Sequence, residues 1–277
     1  MTFVERLSEA STANQSLLCI GLDPQPALMP VADVFEFNKG IVDATRDLVC
    51  AFKPNLAFYE ALGIEGLEAL KKTVDYIHNT SGPIIVIGDA KRGDIGSTAE
   101  AYAKALFEYW EFDVATVNAY GGSDTLKPFL SYPDKGILIW CKSSNPGAKE
   151  IQDLPSSHEG TTMPLFHRVA KSATQWSSRG NTGVVVGATY VEELKDVRAI
   201  CPDMPILIPG IGAQGGELEQ AVAAGIDGKG RNAIISSSRQ VIYASKDKGD
   251  FAEASRRVAE RLRQHINGAL EKENKGW

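Results

Sequence analysis

The chain reads as an α/β protein whose expected architecture is a (β/α)8 (TIM) barrel preceded by an N-terminal helix. Three observations predict it. Eight short runs rich in Val, Ile and Leu recur along the 277 residues. Helical patterns stand between most of these runs. Charged, glycine-rich or hydroxyl-bearing residues follow the C-terminal ends of most of them. Nearly continuous apolar strands suit a parallel sheet buried on both faces, and alternation of strand with helix is the α/β pattern. A doubly wound open sheet has the same periodicity, so the pattern alone leaves both architectures open.

In chain order, MTFVERLSEA carries Glu5 and Glu9 and no long apolar run, which predicts an amphipathic helix and not a signal peptide. The first strand is expected over Leu17–Leu22, with Asp23 just beyond it in CIGLDP. Asp33–Leu48 has apolar residues at helical intervals and leads to the second strand, Val49–Lys53. Glu60–His78 reads as one long amphipathic helix before the third strand, Pro83–Asp89. Ser97–Trp110 opens on Ser-Thr, the chemistry of a capped helix. Val114–Asn118 follows as a strand, then helix Ser123–Leu130 and strand Gly136–Cys141. The long Lys142–Met163 segment, rich in Ser, Gly and Pro, is expected to be a rim or lid, or else a surface insertion. Helices Pro164–Trp176, Val191–Ile200 and Gly216–Ala224 then alternate with strands Gly183–Gly187, Ile206–Pro209 and Ala233–Ser236. Phe251–Asn267 closes the chain as a helix, and EKENKGW reads as a solvated tail. No linker or close repeat divides the sequence, so residues 1–277 are expected to form one domain with a core over about 17–267.

Composition narrows the function. A formal net charge of −6 argues against a general nucleic-acid or anionic-membrane surface, while leaving room for a local basic pocket. No stretch approaches the roughly 20 apolar residues of a membrane span. Cys19, Cys50, Cys141 and Cys201 are far apart and form no C-x-x-C pair, which predicts buried, reduced thiols in a cytoplasmic protein. His78, His158, His167 and His265 do not cluster at metal-site spacing, so no structural zinc is expected.

A barrel of this kind gathers its chemistry at the C-terminal strand ends. The unusual residues fall there: Asp23 after the first strand, Lys53 at the end of the second, Asp89 and Lys91 at the third. Ser143, Ser144 and Asn145 follow the fifth, PGIGAQGG the seventh and SSSR the eighth. In IGDAKRGDIG (87–96), Asp89 and Lys91 are two residues apart and are expected on one side of the strand. Asp94 lies three further on. Charges so close are costly in an apolar core unless paired, and a salt-bridged strand terminus is the plain alternative to a catalytic array. Glycine-exposed N–H groups in PGIGAQGG, ahead of a helix and with Gln214, make an anion site. Arg239 on the neighbouring strand end adds donors that match phosphate oxygens in pairs. Tyr109 and Trp110 read as packing residues. Asn118 and Tyr120 read as turn residues or substrate contacts.

Taken together, FKPN, DAKRGDIGST, SSNPGA, PGIGAQGG and SSSRQVIY, in this order, resemble the orotidine 5′-phosphate decarboxylases. The resemblance runs from about Leu18 to Tyr243 and is closest to the longer bacterial and archaeal branch. D-x-K-x-x-D by itself is shared with sugar-phosphate lyases and decarboxylases of the same superfamily; the five motifs together are much more specific. The resemblance implies a (β/α)8 barrel, a homodimer with active sites at its interface, and no metal or organic cofactor. It also implies a lyase that converts orotidine 5′-monophosphate to uridine 5′-monophosphate and CO2, the last step of pyrimidine (UMP) biosynthesis. By the same resemblance Lys53, Asp89, Lys91 and Asp94 form an alternating charge array, with Lys91 the proton donor to C6 of the pyrimidine. Asp89 lies near the departing carboxylate, and Lys53 links it to the ribose hydroxyls. Asp94, Ile95 and Thr98 are implied to come from the partner subunit. Asp23 matches a ribose contact, Ser144 a contact to the pyrimidine amide edge, and Gln214 and Arg239 the phosphate ligands. A related enzyme acting through a metal-bound enediolate would need a further carboxylate near the second strand's end, where this sequence has Lys53. A non-catalytic nucleotide-binding barrel would have no use for the charge array.

Overall fold

A computed structural model describes residues 1–80, 82–177, 179–210 and 215–277. The N-terminal helix α1 (Phe3–Asn14) is closed by a capping box: the Thr2 hydroxyl accepts from Glu5 N, and the Glu5 carboxylate accepts from Thr2 N. After it come β1 (Leu18–Leu22), α2 (Val34–Thr45), β2 (Ala51–Pro54), α3 (Leu56–Glu60), α4 (Gly63–His78) and β3 (Ile85–Arg92). Next are α5 (Gly96–Lys104), which runs on as a π-helical turn over Ala105–Tyr109, β4 (Val114–Val117), α6 (Ser123–Leu130) and β5 (Gly136–Lys142). Pro146–Glu150 is a 3₁₀ turn, followed by β6 (Pro155–His158), β7 (Thr161–Pro164), α7 (Leu165–Trp176) and β8 (Thr182–Val186). The chain continues through α8 (Val191–Ile200), β9 (Ile206–Pro209), α9 (Gly215–Gly225), β10 (Ala233–Ser237), α10 (Arg239–Ile242) and α11 (Phe251–Lys272).

Eight strands close into a parallel barrel in the order β1-β2-β3-β4-β5-β8-β9-β10 and back to β1. This is the expected TIM barrel, and ring closure excludes the open sheet. Alternation along the strands sorts the apolar residues into two layers. Leu18, Ile20, Val86, Ile137, Ile139, Ile206, Ile208 and Ile235 pack outward with the helices. Cys19, Ala51, Ile85, Ile87, Val114, Leu138, Val185, Leu207 and Ile234 form a separate cluster inside the ring. Phe3, Leu7 and Ala10 of α1 belong to that inner cluster, so α1 stoppers the N-terminal end of the barrel. The core therefore begins at Phe3, and it runs past residue 267 to Ala269 and Leu270.

Several sequence expectations are corrected. The helix expected over Glu60–His78 starts later, at Gly63, and Glu60 instead ends the short helix α3; Gly63 takes φ +68°, a left-handed backbone at the junction. Ser97 and Thr98 do not cap α5; the N-cap position is Ile95, whose N–H donates to Asp94 Oδ1 at 2.8 Å, and Ser97 and Thr98 sit inside the first turn. The stretch expected to be a solvated tail is tied down. Helix α11 extends to Lys272, Trp277 Nε1 donates to Asn267 Oδ1 at 2.9 Å, and the Arg231 guanidinium lies 3.7 Å from the Trp277 ring centroid. The long segment after β5 contains the hairpin β6–β7, separate from the barrel sheet. All four cysteines are buried free thiols. Among the described residues no helix is long and apolar enough to cross a membrane.

Candidate active site

The interior alternation that packs the barrel also builds its mouth. Lys53 stands two residues after Ala51, Asp89 two after Ile87, and Thr116 two after Val114, so all three continue inner-layer positions toward the C-terminal rim. There the apolar filling gives way to a hydrogen-bonded charge cluster. Lys53 Nζ donates to Asp89 Oδ2 at 2.8 Å, and Lys91 Nζ donates to Asp89 Oδ1 at 2.6 Å. Thr116 Oγ1 donates to the same Oδ1 at 2.9 Å. The predicted meeting of Asp89 and Lys91 is thus observed, but simple alternation does not produce it. The register of β3 against β4 shifts between Gly88 and Arg92, and Lys91 sits at φ +46°. A local bend brings its ammonium back onto Asp89.

Burial divides the two lysines. Lys53 is 5% exposed and Asp89 9%, whereas the Lys91 side chain is 38% exposed. Burial alone would push the Lys53 ammonium toward its neutral form; the negative charges of Asp89 and Asp23 outweigh it and hold the group well above the ordinary lysine range. Burial would raise Asp89, but Lys53 and Lys91 hold its carboxyl well below the usual carboxylate range. Lys53 and Asp89 are therefore both charged at neutral pH, and two lysines with one aspartate give the cluster a formal charge of +1.

The remaining candidates surround this cluster unevenly. Asp94 is exposed and makes no ion pair among the described residues of its own chain, so it does not flank Lys91 within one chain. Ile95 and Thr98 are exposed beside it. Asp23 is held at the end of β1 on two sides: the Ser238 hydroxyl donates to its Oδ2, and the Tyr243 hydroxyl donates to its carbonyl at 2.8 Å. Its other carboxylate oxygen, Oδ1, is buried without a hydrogen-bond partner among the described residues. Close packing makes this approach possible, because a Cβ on Gly21 would lie 2.8 Å from the Ser238 Cβ. Ser144 is exposed after β5, and Arg239 is exposed at the first residue of α10, past the end of β10. Gln214 lies outside the described residues. Asn118 takes the turn role, its Oδ1 accepting from Tyr120 N at 2.9 Å.

Thr116 and Trp140 were not among the sequence candidates, and Ser238 was named only within SSSR, without a role. The Trp140 ring centroid is 6.0 Å from Lys91 Nζ, and Trp140 lines a cleft of about 540 Å³ with Tyr120, Ser143, Asn145, Ile151 and Phe166. At the end of β5, Lys142 is fully buried, pairs with Asp153, and lies 5.1 Å and 5.0 Å from the ring centroids of Phe166 and Tyr190. The available signal for Thr116 and Trp140 was parity with the inner layer, two residues beyond Val114 and Leu138.

Comparison with known proteins bears on this arrangement. The family model described as orotidine 5′-phosphate decarboxylase / HUMPS family matches residues 16–254. The orotidine 5′-phosphate decarboxylase of Cupriavidus metallidurans is 48% identical over 274 residues, which cover 96% of this chain and 98% of the relative. That of Dehalococcoides mccartyi is 47% identical over 268 residues, with the same coverage. The structure of Leishmania donovani OMP decarboxylase matches with a TM-score of 0.82 at 36% identity, covering 96% of this chain and 99% of that one.

Proposed function

The chain belongs to the orotidine 5′-phosphate decarboxylase / HUMPS family, and from that premise we propose that it converts orotidine 5′-monophosphate to uridine 5′-monophosphate and CO2, in pyrimidine biosynthesis. The observation that carries this reading is the single carboxylate of Asp89 bridging Lys53 and Lys91 at the barrel mouth. Loss of CO2 breaks the C6–carboxylate bond and leaves its electron pair on C6, in the plane of the ring. No conjugated electron sink accepts that pair, so a cation must sit beside it. Lys91 supplies the charge and then the proton: its N–H bond breaks, the C6–H bond forms, and solvent returns a proton to the amine. Asp89 holds the Lys91 ammonium in place through their 2.6 Å hydrogen bond and stands near the departing carboxylate.

The reading gives the remaining candidates supporting roles. Lys53 is too buried to act as the donor and instead orients Asp89 and reaches toward the ribose. Asp23 offers a ribose hydroxyl its Oδ1, which has no hydrogen-bond partner among the described residues. Ser144 faces the pyrimidine amide edge, and Arg239, with Gln214, holds the phosphate. The +1 balance of Lys53, Asp89 and Lys91 suits a fourth, acidic member. Because Asp94 does not reach Lys91 within its own chain, the reading assigns that role to Asp94 of a second copy, with Ile95 and Thr98 alongside it, in a cytoplasmic homodimer of single-domain subunits. No nucleic acid, membrane, metal or organic cofactor has a part in this reaction.

A metal-dependent sugar-phosphate enzyme of the same family is the second reading. Lys53, where that chemistry would need a carboxylate, disfavours it. One assay separates the two: absorbance of orotidine 5′-monophosphate followed with and without EDTA. The expected result is conversion at a rate the chelator does not change. No turnover, or turnover abolished by EDTA and restored by a divalent metal, would sink the decarboxylase reading.

A further inference from the structure

Three hydrogen bonds meet at one hydroxyl between β3 and β4. Thr116 Oγ1 donates to Asp89 Oδ1 at 2.9 Å and accepts from Ala90 N at 3.0 Å and from Lys91 N at 2.9 Å. A hydroxyl has one proton and two lone pairs, so this one is used completely. Its polarity is also fixed: the two amides can only donate, which turns the O–H toward the carboxylate. Thr116 is 1% exposed, and no rearrangement toward solvent competes with these bonds.

The place where this happens gives the contact its consequence. Lys91 has φ +46°, a left-handed backbone that a side chain with a Cβ adopts only when its surroundings hold it there. The bend coincides with the register shift between Gly88 and Arg92, where the regular β3–β4 ladder is interrupted. Two N–H groups at the bend are satisfied by the Thr116 side chain in place of a ladder carbonyl. One group therefore fixes both ends of the Lys91–Asp89 pair: the backbone from which Lys91 projects, and the carboxylate oxygen it meets.

We propose that Thr116 is a positioning residue for proton transfer from Lys91, acting through Asp89 and the bent backbone at 90–91 without touching substrate. This rests on the decarboxylase reading of the same site. Valine has the shape of threonine without the hydroxyl, and serine keeps the hydroxyl without the methyl. Thr116→Val is expected to lower kcat per occupied site about 10²-fold, the scale of a small misplacement of a reacting group, with KM within about threefold of wild type. Thr116→Ser is expected to recover kcat to within about fivefold. Occupied sites are counted by titration with uridine 5′-monophosphate.

A second readout follows the proton alone: exchange of the C6 hydrogen of uridine 5′-monophosphate with D2O, measured by NMR, should fall in parallel with kcat. A purely structural role would reduce the number of binding sites and leave kcat per site and exchange per site unchanged. That result, or a Thr116→Ser variant as slow as Thr116→Val, overturns the proposal. If Thr116→Val does not fold, Thr116→Cys, with its weak S–H donor, carries the same expectations. A wild-type chain inert toward orotidine 5′-monophosphate would remove the decarboxylase reading instead. The positioning contact is then judged separately by amide exchange at Ala90 and Lys91, which should accelerate in the valine variant; unchanged exchange there would overturn it.

Discussion

Of the two ammonium groups on Asp89, Lys53 is 5% exposed and the Lys91 side chain 38%. That difference separates a group that holds the carboxylate from one that can still face a ligand. Lys91→Ala is therefore expected to lower kcat by more than about 10⁴-fold, since it removes both the cation and the proton. Binding of uridine 5′-monophosphate, measured by calorimetry, should stay within about tenfold, because the proposed phosphate and ribose contacts use other residues. Near-normal decarboxylation by this variant would end the proton-donor assignment. Arg239 makes the complementary case. Replacing it with Ala should weaken binding of the nucleotide by about 10- to 100-fold, the scale of a charged hydrogen bond worth roughly 1.5–3 kcal/mol. Uridine, which has no phosphate, should bind as before, and an equal loss for both ligands would place Arg239 outside the phosphate site. Lys53, Asp89, Lys91 and Arg239 were legible in the sequence because charges at barrel strand ends have no packing role to explain them. Thr116 was not, because a hydroxyl in a strand is ordinary until its partners are known.

Elements divide between those whose pattern is periodic and those set by one residue. Seven of the eight barrel strands were found to within two residues because their apolar runs are continuous, and the third runs three residues past its expected end, to Arg92. The hairpin β6–β7 was missed because PSSH and TTMP lack apolar alternation and are mostly exposed. Its signal was local: Glu159 and Gly160 have φ +48° and +75°, the two left-handed residues of a tight hairpin turn. The break before α4 likewise hung on Gly63 alone. Helix α1 carries the clearest test at this scale. Phe3 is fully buried in the inner barrel cluster, and Gly136 leaves room for it, since a Cβ there would lie 2.5 Å from the ring. Phe3→Ala should cost about 3–5 kcal/mol of stability in urea unfolding, while kcat of the folded enzyme is unchanged because α1 closes the end opposite the site. A loss under about 1 kcal/mol would show that α1 is not part of the barrel core.

At the scale of the whole molecule, the proposed charge array would need a second chain. Lys91 meets Asp89 but not Asp94, and Ile95 next to Asp94 is 67% exposed. Mixing inactive Lys91→Ala and Asp94→Asn chains tests whether a second copy completes the site. In a mixed dimer one site keeps its own Lys91 and receives Asp94 from the other chain, so random exchange should restore about a quarter of wild-type activity. Recovery of none would place Asp94 outside the shared site.

Sequence by itself determined the strand-and-helix alternation, the family's motifs and the rim position of each charged candidate, because these depend on residue type and spacing along one chain. Only the tertiary structure decided that the sheet closes, that Lys53 is buried while Lys91 is reachable, and that Thr116 holds a bent Lys91 against Asp89. Those outcomes depend on which strands become neighbours and in what register, and on a left-handed backbone at one residue that no periodicity encodes.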